Sequence, residues 1–459
     1  MTIRPSLARA ALACAFVVGL VPLLSWPPSS FAEPPCALQD LVDGALATSS
    51  AGRGESTVLP IEGTCSIEST VELRTRPADA GNDTVYLTLT GGPVVRGGAL
   101  NGPMFVVRSG FGLILRDVTV DGGGADREPL PETSPMVRVD QAGFLTLDAG
   151  GVLTNNAGRA VVNHGTTTLI GADARISDNT LTIRAGDKAP GGAGILTEAQ
   201  GTTVIERGVI ADNLVRAPVA EGASTPNVAG AGIMSIGRTR ISGGRFEANS
   251  FDTDTSSSFG GAIAAVTGTD GSTGSVTIVN GQAGAPEFVD NSATRGGAIA
   301  ALSLPTTGGV GVLLAGGVLT GNVASSDGGA LYLNGGSAEV TTGAVVGSDE
   351  APNQAGRAGR SGVFNASGTL ALSGAPTFAG GNGVAAASED TAPMVTEPLT
   401  GGAASVLVES IPYFAVPGGH GEVVAARAGG AMGSLSPTDA EALTQGDPVV
   451  ELALAEAGG

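Results

Sequence analysis

Tryptophan is almost missing from this 459-residue chain: Trp26 is the only one, and aromatic residues make up 3% of the whole. A large globular core normally draws much of its burial from rings. A core without them must be thin and repeated many times. Lysine is scarcer still among the basic residues, with Lys188 standing alone, and 23 basic residues face 43 acidic ones for a net charge of −20. Nucleic acid requires a basic face that displaces counterions, so it is excluded as an expected partner. Charged residues of both signs reach only 14%, which makes the acidity an imbalance of sign and not a density of charge. Helical periodicity nearly vanishes after residue 50, and no second apolar run is long enough to span a bilayer.

The first apolar run is of a different kind. Arg4 and Arg9 flank the start of "ALACAFVVGLVPLLSW", and "SSFA" then supplies the small residues Ser30 and Ala32. A basic start, an apolar middle and a small-residue end are the marks of a secretory signal. The sequence therefore predicts a signal peptide over residues 1–32, export, and a mature chain that is secreted or held at the cell surface without a transmembrane anchor. Cys14 and Trp26 leave with that segment. Cys36 and Cys65 remain, an even pair that in an exported chain predicts one disulfide, with two buried thiols as the alternative.

Glycine is what the chain has in abundance, 74 residues of it. Short runs of Val, Ile, Leu and Thr alternate with Gly, Asn, Asp and Ser clusters, an all-β pattern with frequent turns. A repeat runs through it. An apolar-x-x-Asn element ends at Asn156, Asn179, Asn213, Asn249, Asn291 and Asn322. A small-residue turn into another apolar strand follows most of these, as in "GGAI" from Gly260 and Gly296 and "GGAL" from Gly328. The asparagines stand 23, 34, 36, 42 and 31 residues apart. A helical repeat does not tolerate that variation. A parallel β-helix does, because extra residues bulge out as corner loops while the coils stack. The expected rod has roughly a dozen coils and is about 55 to 60 Å long at the spacing of paired strands. Within it Phe288 and Ile299 should be core rungs, Asn291 a buried corner residue, and Gly296 and Gly297 the bend between strands.

Apolar-x-x-Asn paired with Gly-Gly-Ala-Ile resembles the repeats of chlamydial polymorphic outer membrane proteins. More widely, it resembles secreted bacterial right-handed parallel β-helix proteins of the pectin-lyase-like superfamily. The resemblance covers about residues 36 to 380. It implies a right-handed parallel β-helix solenoid, and leaves activity open, since that superfamily contains lyases, hydrolases, adhesins and phage tailspikes. The start, "CALQDLVDGALA", is similar to secreted members in which a short helix covers the first coil and two cysteines pin it. Leu38, Leu41, Val42 and Leu46 would form its buried face. The expected organisation is a cap over 33–66, coils over 67–382, and a linker with a small β-rich C-terminal module over 383–459. That module lacks the ten-residue strands and aromatic girdles of an outer-membrane barrel, which departs from the chlamydial proteins.

Catalytic patterns are sparse. "GGHG" contains His420, but no Asn-Thr-Asp, adjacent Asp-Asp or Arg-Ile-Lys accompanies it. His164 in "VVNHGT" reads as a turn residue. The densest acidic stretch, "RDVTVDGGGADREPLPE", holds Asp117, Asp121, Asp126, Glu128 and Glu132, with Arg138 and Asp140 following. Carboxylates on one loop can ligate Ca²⁺, which makes Asp117, Asp121 and Asp126 the weak metal candidates. A solvated loop is the simpler account, and no cofactor is expected. The sequence thus points to a monomeric, non-catalytic structural or adhesin-like module whose partner is a glycan or a surface protein. The alternative is a polysaccharide lyase or glycoside hydrolase. It requires Asp117, Asp121, Arg138 and Asp140, or a similar set, to converge on one groove.

Overall fold

A strand of three to five residues cannot hold itself together, and its open edges must be met by a neighbour. Here each coil supplies the neighbour for the next. The computed structural model describes residues 36–47, 56–75, 83–124, 128–131, 134–184, 187, 190–218, 227–253, 257–303, 311–358, 360–388, 391 and 393–399, with short strands at Val406–Val408, Ala426–Arg427 and Leu443–Gln445. Every pairing between these strands is parallel, and one helix precedes them. The protein is an all-β parallel β-solenoid. Signal peptide, His420, Asp126 and Glu132 lie outside the described residues.

Three long ladders run along the solenoid, and two shorter ones, of three and five strands, accompany them. The first begins at Ser56–Ile61, the second at Cys65–Ile67 and the third at Val71–Leu73. The second holds eleven strands and ends at Thr377–Phe378. At about 4.8 Å per step its length is about 48 Å, somewhat shorter than the sequence suggested. Like residues sit on like. In the third ladder Ile195, Ile233, Ile263 and Ile299 occupy one register column. In the second, Phe246 and Phe288 pair and stack their rings 4.8 Å apart. All of these are fully buried, so Phe288 and Ile299 are the core rungs expected of them.

The first coil is sealed by the helix Leu38–Ala47. Leu38, Val42 and Leu46 form a single i, i+4, i+8 stripe against the core, each contributing about 2 kcal/mol by burial. Leu41 was expected on that face but stays 48% exposed on its flank. The disulfide joins Cys36 to Cys65, tying the chain two residues before the helix to the first strand of the second ladder. Gln39 closes the open edge of Val71–Leu73: its amide nitrogen donates to the Glu72 carbonyl at 3.1 Å and its oxygen accepts from the Glu72 N–H at 2.7 Å.

The repeated asparagines form a buried column. Asn291 Oδ1 accepts from the Asn249 backbone N–H at 3.1 Å and side-chain Nδ2 at 2.9 Å. Its own Nδ2 donates to Asn322 Oδ1 at 3.0 Å and to the carbonyls of Phe246 and Val289. Asn179, Asn213, Asn249 and Asn322 repeat the side-chain link to the next coil. The column continues through Asn353 to Asn382, which the spacing did not reveal. It starts at Asn156, whose Oδ1 finds no donor: the equivalent residue in the preceding coil is Gly123, which has no side-chain amide and whose N–H donates to Asp121 Oδ1.

The residue before each asparagine explains why that position varies. Asn155, Asp178, Asp212, Ala248, Asp290 and Gly321 all have φ between 53° and 67°, the left-handed region that Gly, Asn and Asp tolerate best. Gly296 also has φ 66°, and a Cβ on Gly297 would lie 2.4 Å from the Gly329 carbonyl oxygen of the next coil. Gly260 and Gly328 share the positive φ of Gly296. Past residue 383 the described strands carry on two ladders: Met394–Leu399 pairs with Val363–Gly374, and Val406–Val408 pairs with Val384–Ala386.

Three outcomes test this account. Asn291→Ala should destabilise by about 3 kcal/mol or more, because it strands the buried Asn249 donors, and Asp290→Val by about 1 to 2 kcal/mol from left-handed backbone strain. Guanidinium midpoints at constant m-value measure both. Replacing Cys36 and Cys65 together by Ser should cost about 3 to 4 kcal/mol for a loop of this length, read as a lowered thermal midpoint.

Candidate functional site

From Val162 onward the outward face of the third ladder is apolar as well as the inward one. Along each strand the first and third residues point inward and the middle one outward. Arg138, Val162, Leu196 and Met234 are middle residues in one register column. An outward column in an antiparallel meander is usually polar. Here Val162, Leu196, Met234 and Ile236 join a second apolar cluster separate from the main core. They form the floor of a groove of about 500 Å³, walled by Arg138, Arg159, His164, Glu198 and the loop Thr267 to Asp270. A second hollow of about 420 Å³ shares His164, Glu198 and Asp270 with it and adds Asp140 and Gln200.

The polar wall is itself a column. The backbone N–H of Asp140 donates to the Val107 carbonyl, that of His164 to Val139, and that of Glu198 to Asn163. Each residue is therefore the first after its strand, one coil above the last. Asp140 is engaged by two arginines: Arg108 Nη1 at 2.9 Å and Arg138 Nε at 3.1 Å. Arg108 also bonds Glu72 at 3.0 Å, and its guanidinium pKa is raised by the hydrogen bonds to Glu72 and Asp140. Asp270 accepts from the Ser272 hydroxyl and backbone N–H, which hold its carboxyl below the usual range. Among the described residues, neither the His164 imidazole nor the Glu198 carboxylate has a hydrogen-bond partner. Chemically this is a shallow trough with an apolar floor, one fixed ion pair at its end, and two side chains available to a ligand.

The sequence candidates fall elsewhere. Asp117 and Asp121 sit at the two ends of Val118–Asp121 in the second ladder, away from Arg138 and Asp140. Asp117 occupies a positive-φ corner. Asp121 Oδ1 accepts from Gly123 N at 2.8 Å and Asn155 Nδ2 at 3.0 Å. Among the described residues no three acidic, histidine or cysteine side chains are grouped to hold a metal ion. The asparagines and glycines of the repeat are consumed by the solenoid's own corners. His164 is the turn residue the sequence suggested, and it also lines the groove. A signal for the groove was present in "VVN", "ILT" and "IMS", where the outward middle residue is as apolar as its neighbours.

The class of protein is set by its ladders: a parallel β-solenoid with a helical N-terminal cap and a lateral groove that combines an apolar floor with a polar wall. No protein-family model matches the chain, and comparisons with curated proteins and with solved structures give no match either.

Proposed function

We propose that this is an exported, non-catalytic interaction module that binds an elongated ligand, such as a glycan chain or a segment of a surface protein, in its lateral groove. The observation that carries the reading is the outward apolar column Val162, Leu196 and Met234, bordered by His164 and Glu198. The column is nearly buried, with Leu196 2% and Met234 6% exposed and packed against Ala229 and Phe259 as a second core, and where it lines the groove it supplies the apolar floor on which ligands bind. The basic and apolar opening of the sequence, with its small-residue end, supports export. The asparagine-centred repeat and parallel coils support placing the chain beside the pectin-lyase-like β-helix proteins.

A second reading, a polysaccharide lyase or glycoside hydrolase, is favoured by one observation: Arg138, His164, Glu198 and Asp270 border the same groove on neighbouring coils. Against it, Asp140 is neutralised by two guanidiniums and Asp270 is tied to Ser272, which leaves Glu198 as the carboxylate free to act as acid or base.

The mature chain should be tested on a panel of neutral and acidic polysaccharides with and without Ca²⁺, scoring both binding and chain cleavage. Saturable binding without new chain ends is the expected outcome, with Glu198→Ala reducing affinity about tenfold by removing the unpartnered carboxylate of the groove wall. Release of shortened chains from any polysaccharide overturns the non-catalytic reading.

A further inference from the structure

A column of alternating charge stands at a different corner. Phe259 pairs with Arg295, and Arg295 with Asp327, on successive coils. The backbone pattern continues it: Gly260 N donates to the Arg295 carbonyl, Gly296 N to Asp327 and Gly328 N to Arg360. Phe259, Arg295, Asp327 and Arg360 therefore occupy four consecutive levels. Arg357 reaches into the same place from the loop.

Three guanidiniums share one carboxylate. Arg360 Nη1 lies 2.7 Å from Asp327 Oδ1, while Arg357 and Arg295 approach Oδ2 at 3.4 and 3.7 Å. Asp327 is almost fully buried, and Ser326 donates to it as well. Arg360 stacks over the Phe364 ring at 4.3 Å, and Arg295 lies 5.8 Å from both Phe259 and Tyr332. One arginine neutralises a buried aspartate. The other two leave a local excess of two positive charges among the described residues, in a chain whose net charge is −20. Holding like charges together raises their energy unless an anion joins them. Arg357, with 59% of its side chain exposed, opens this cluster to solvent.

We propose that Arg295 and Arg357, braced by Asp327 and Arg360, form a binding site for an oxyanion group, a sulfate or a carboxylate carried on an extracellular partner. The planar guanidinium fork matches such oxygens in pairs. Buried Asp327 fixes the inner nitrogens, the rings of Phe259, Tyr332 and Phe364 fix the planes of Arg295 and Arg360, and Arg357 presents the accessible edge. Burial raises the Tyr332 hydroxyl pKa, against the opposing influence of Arg295, so the phenol stays neutral and does not compete for the cations. The site is independent of the groove. It is built from Arg295, Asp327, Arg357 and Arg360, none of which lines that trough.

The test uses the mature, disulfide-bonded chain titrated with sodium sulfate or sodium acetate, each against sodium chloride at matched ionic strength, with the thermal midpoint as readout. A saturable rise beyond the chloride control is expected, and the stronger of the two salts identifies the group. Arg357→Ala should weaken the apparent affinity about tenfold, as expected for loss of a charge-assisted contact, and Arg357→Lys by less. Arg116→Ala, at the exposed pair with Asp148 on another coil, should leave it unchanged. No saturable rise in wild type, or an equal rise in wild type and Arg357→Ala, overturns the proposal.

Discussion

Register is the constraint on which everything else depends. In a parallel ladder each residue lies directly over its counterpart in the next coil, so whatever a coil places at a position is placed against its own kind. An apolar residue placed inward makes a column of apolar residues. A buried amide makes a column of amides, and an amide is one of few polar groups that can satisfy itself in this way, since it both donates and accepts. Asn291 receives from Asn249 and gives to Asn322. Aspartate could only accept and serine could not reach both neighbours while also bonding its own corner. The repeat is conserved within the chain for this reason, and not because any one asparagine acts on a ligand.

The same rule makes departures from uniformity informative. Surfaces of a solenoid inherit columns too, and an outer column should be polar unless something covers it. Val162, Leu196 and Met234 are covered, packed with Ala229 and Phe259, yet line a groove beside them, and at another place arginines crowd Asp327. Both features lie outside the repeat motif. The apolar column itself continues through Ala264, Ala300, Tyr332, Phe364 and Ala385, whereas the groove and the arginine cluster each occupy only a few levels of the rod. Function in such a fold is written in the irregular positions on a regular frame.

Much of the frame was legible in the sequence. Periodicity of Gly and Asn gave the parallel coils, the pair Cys36 and Cys65 gave the disulfide, and the spacing of Leu38, Val42 and Leu46 gave the capping helix. Asn353 and Asn382 escaped because no large apolar residue stands three places before them: Glu350 and Ala379 occupy those positions. The acidic stretch around Asp117 and Asp121 drew attention by its density, yet neighbours in sequence diverge in a coil, whereas residues one full turn apart converge. The groove was hidden for that reason. Arg138, His164, Glu198 and Asp270 are separated by tens of residues of varying number, and only the register brings them to one face.

A stack of identical parallel rungs is a lattice in one dimension, and any such lattice can be extended by another chain at a bare end. Gln39 alters this. By meeting both the N–H and the carbonyl of Glu72, a single side chain imitates the strand that would otherwise dock there, and the helix over the apolar column denies that strand a place to bury its residues. The first coil is thus a terminated face. End-to-end stacking of copies needs a bare rung on each partner, and at the first coil Gln39 and the helix already occupy it.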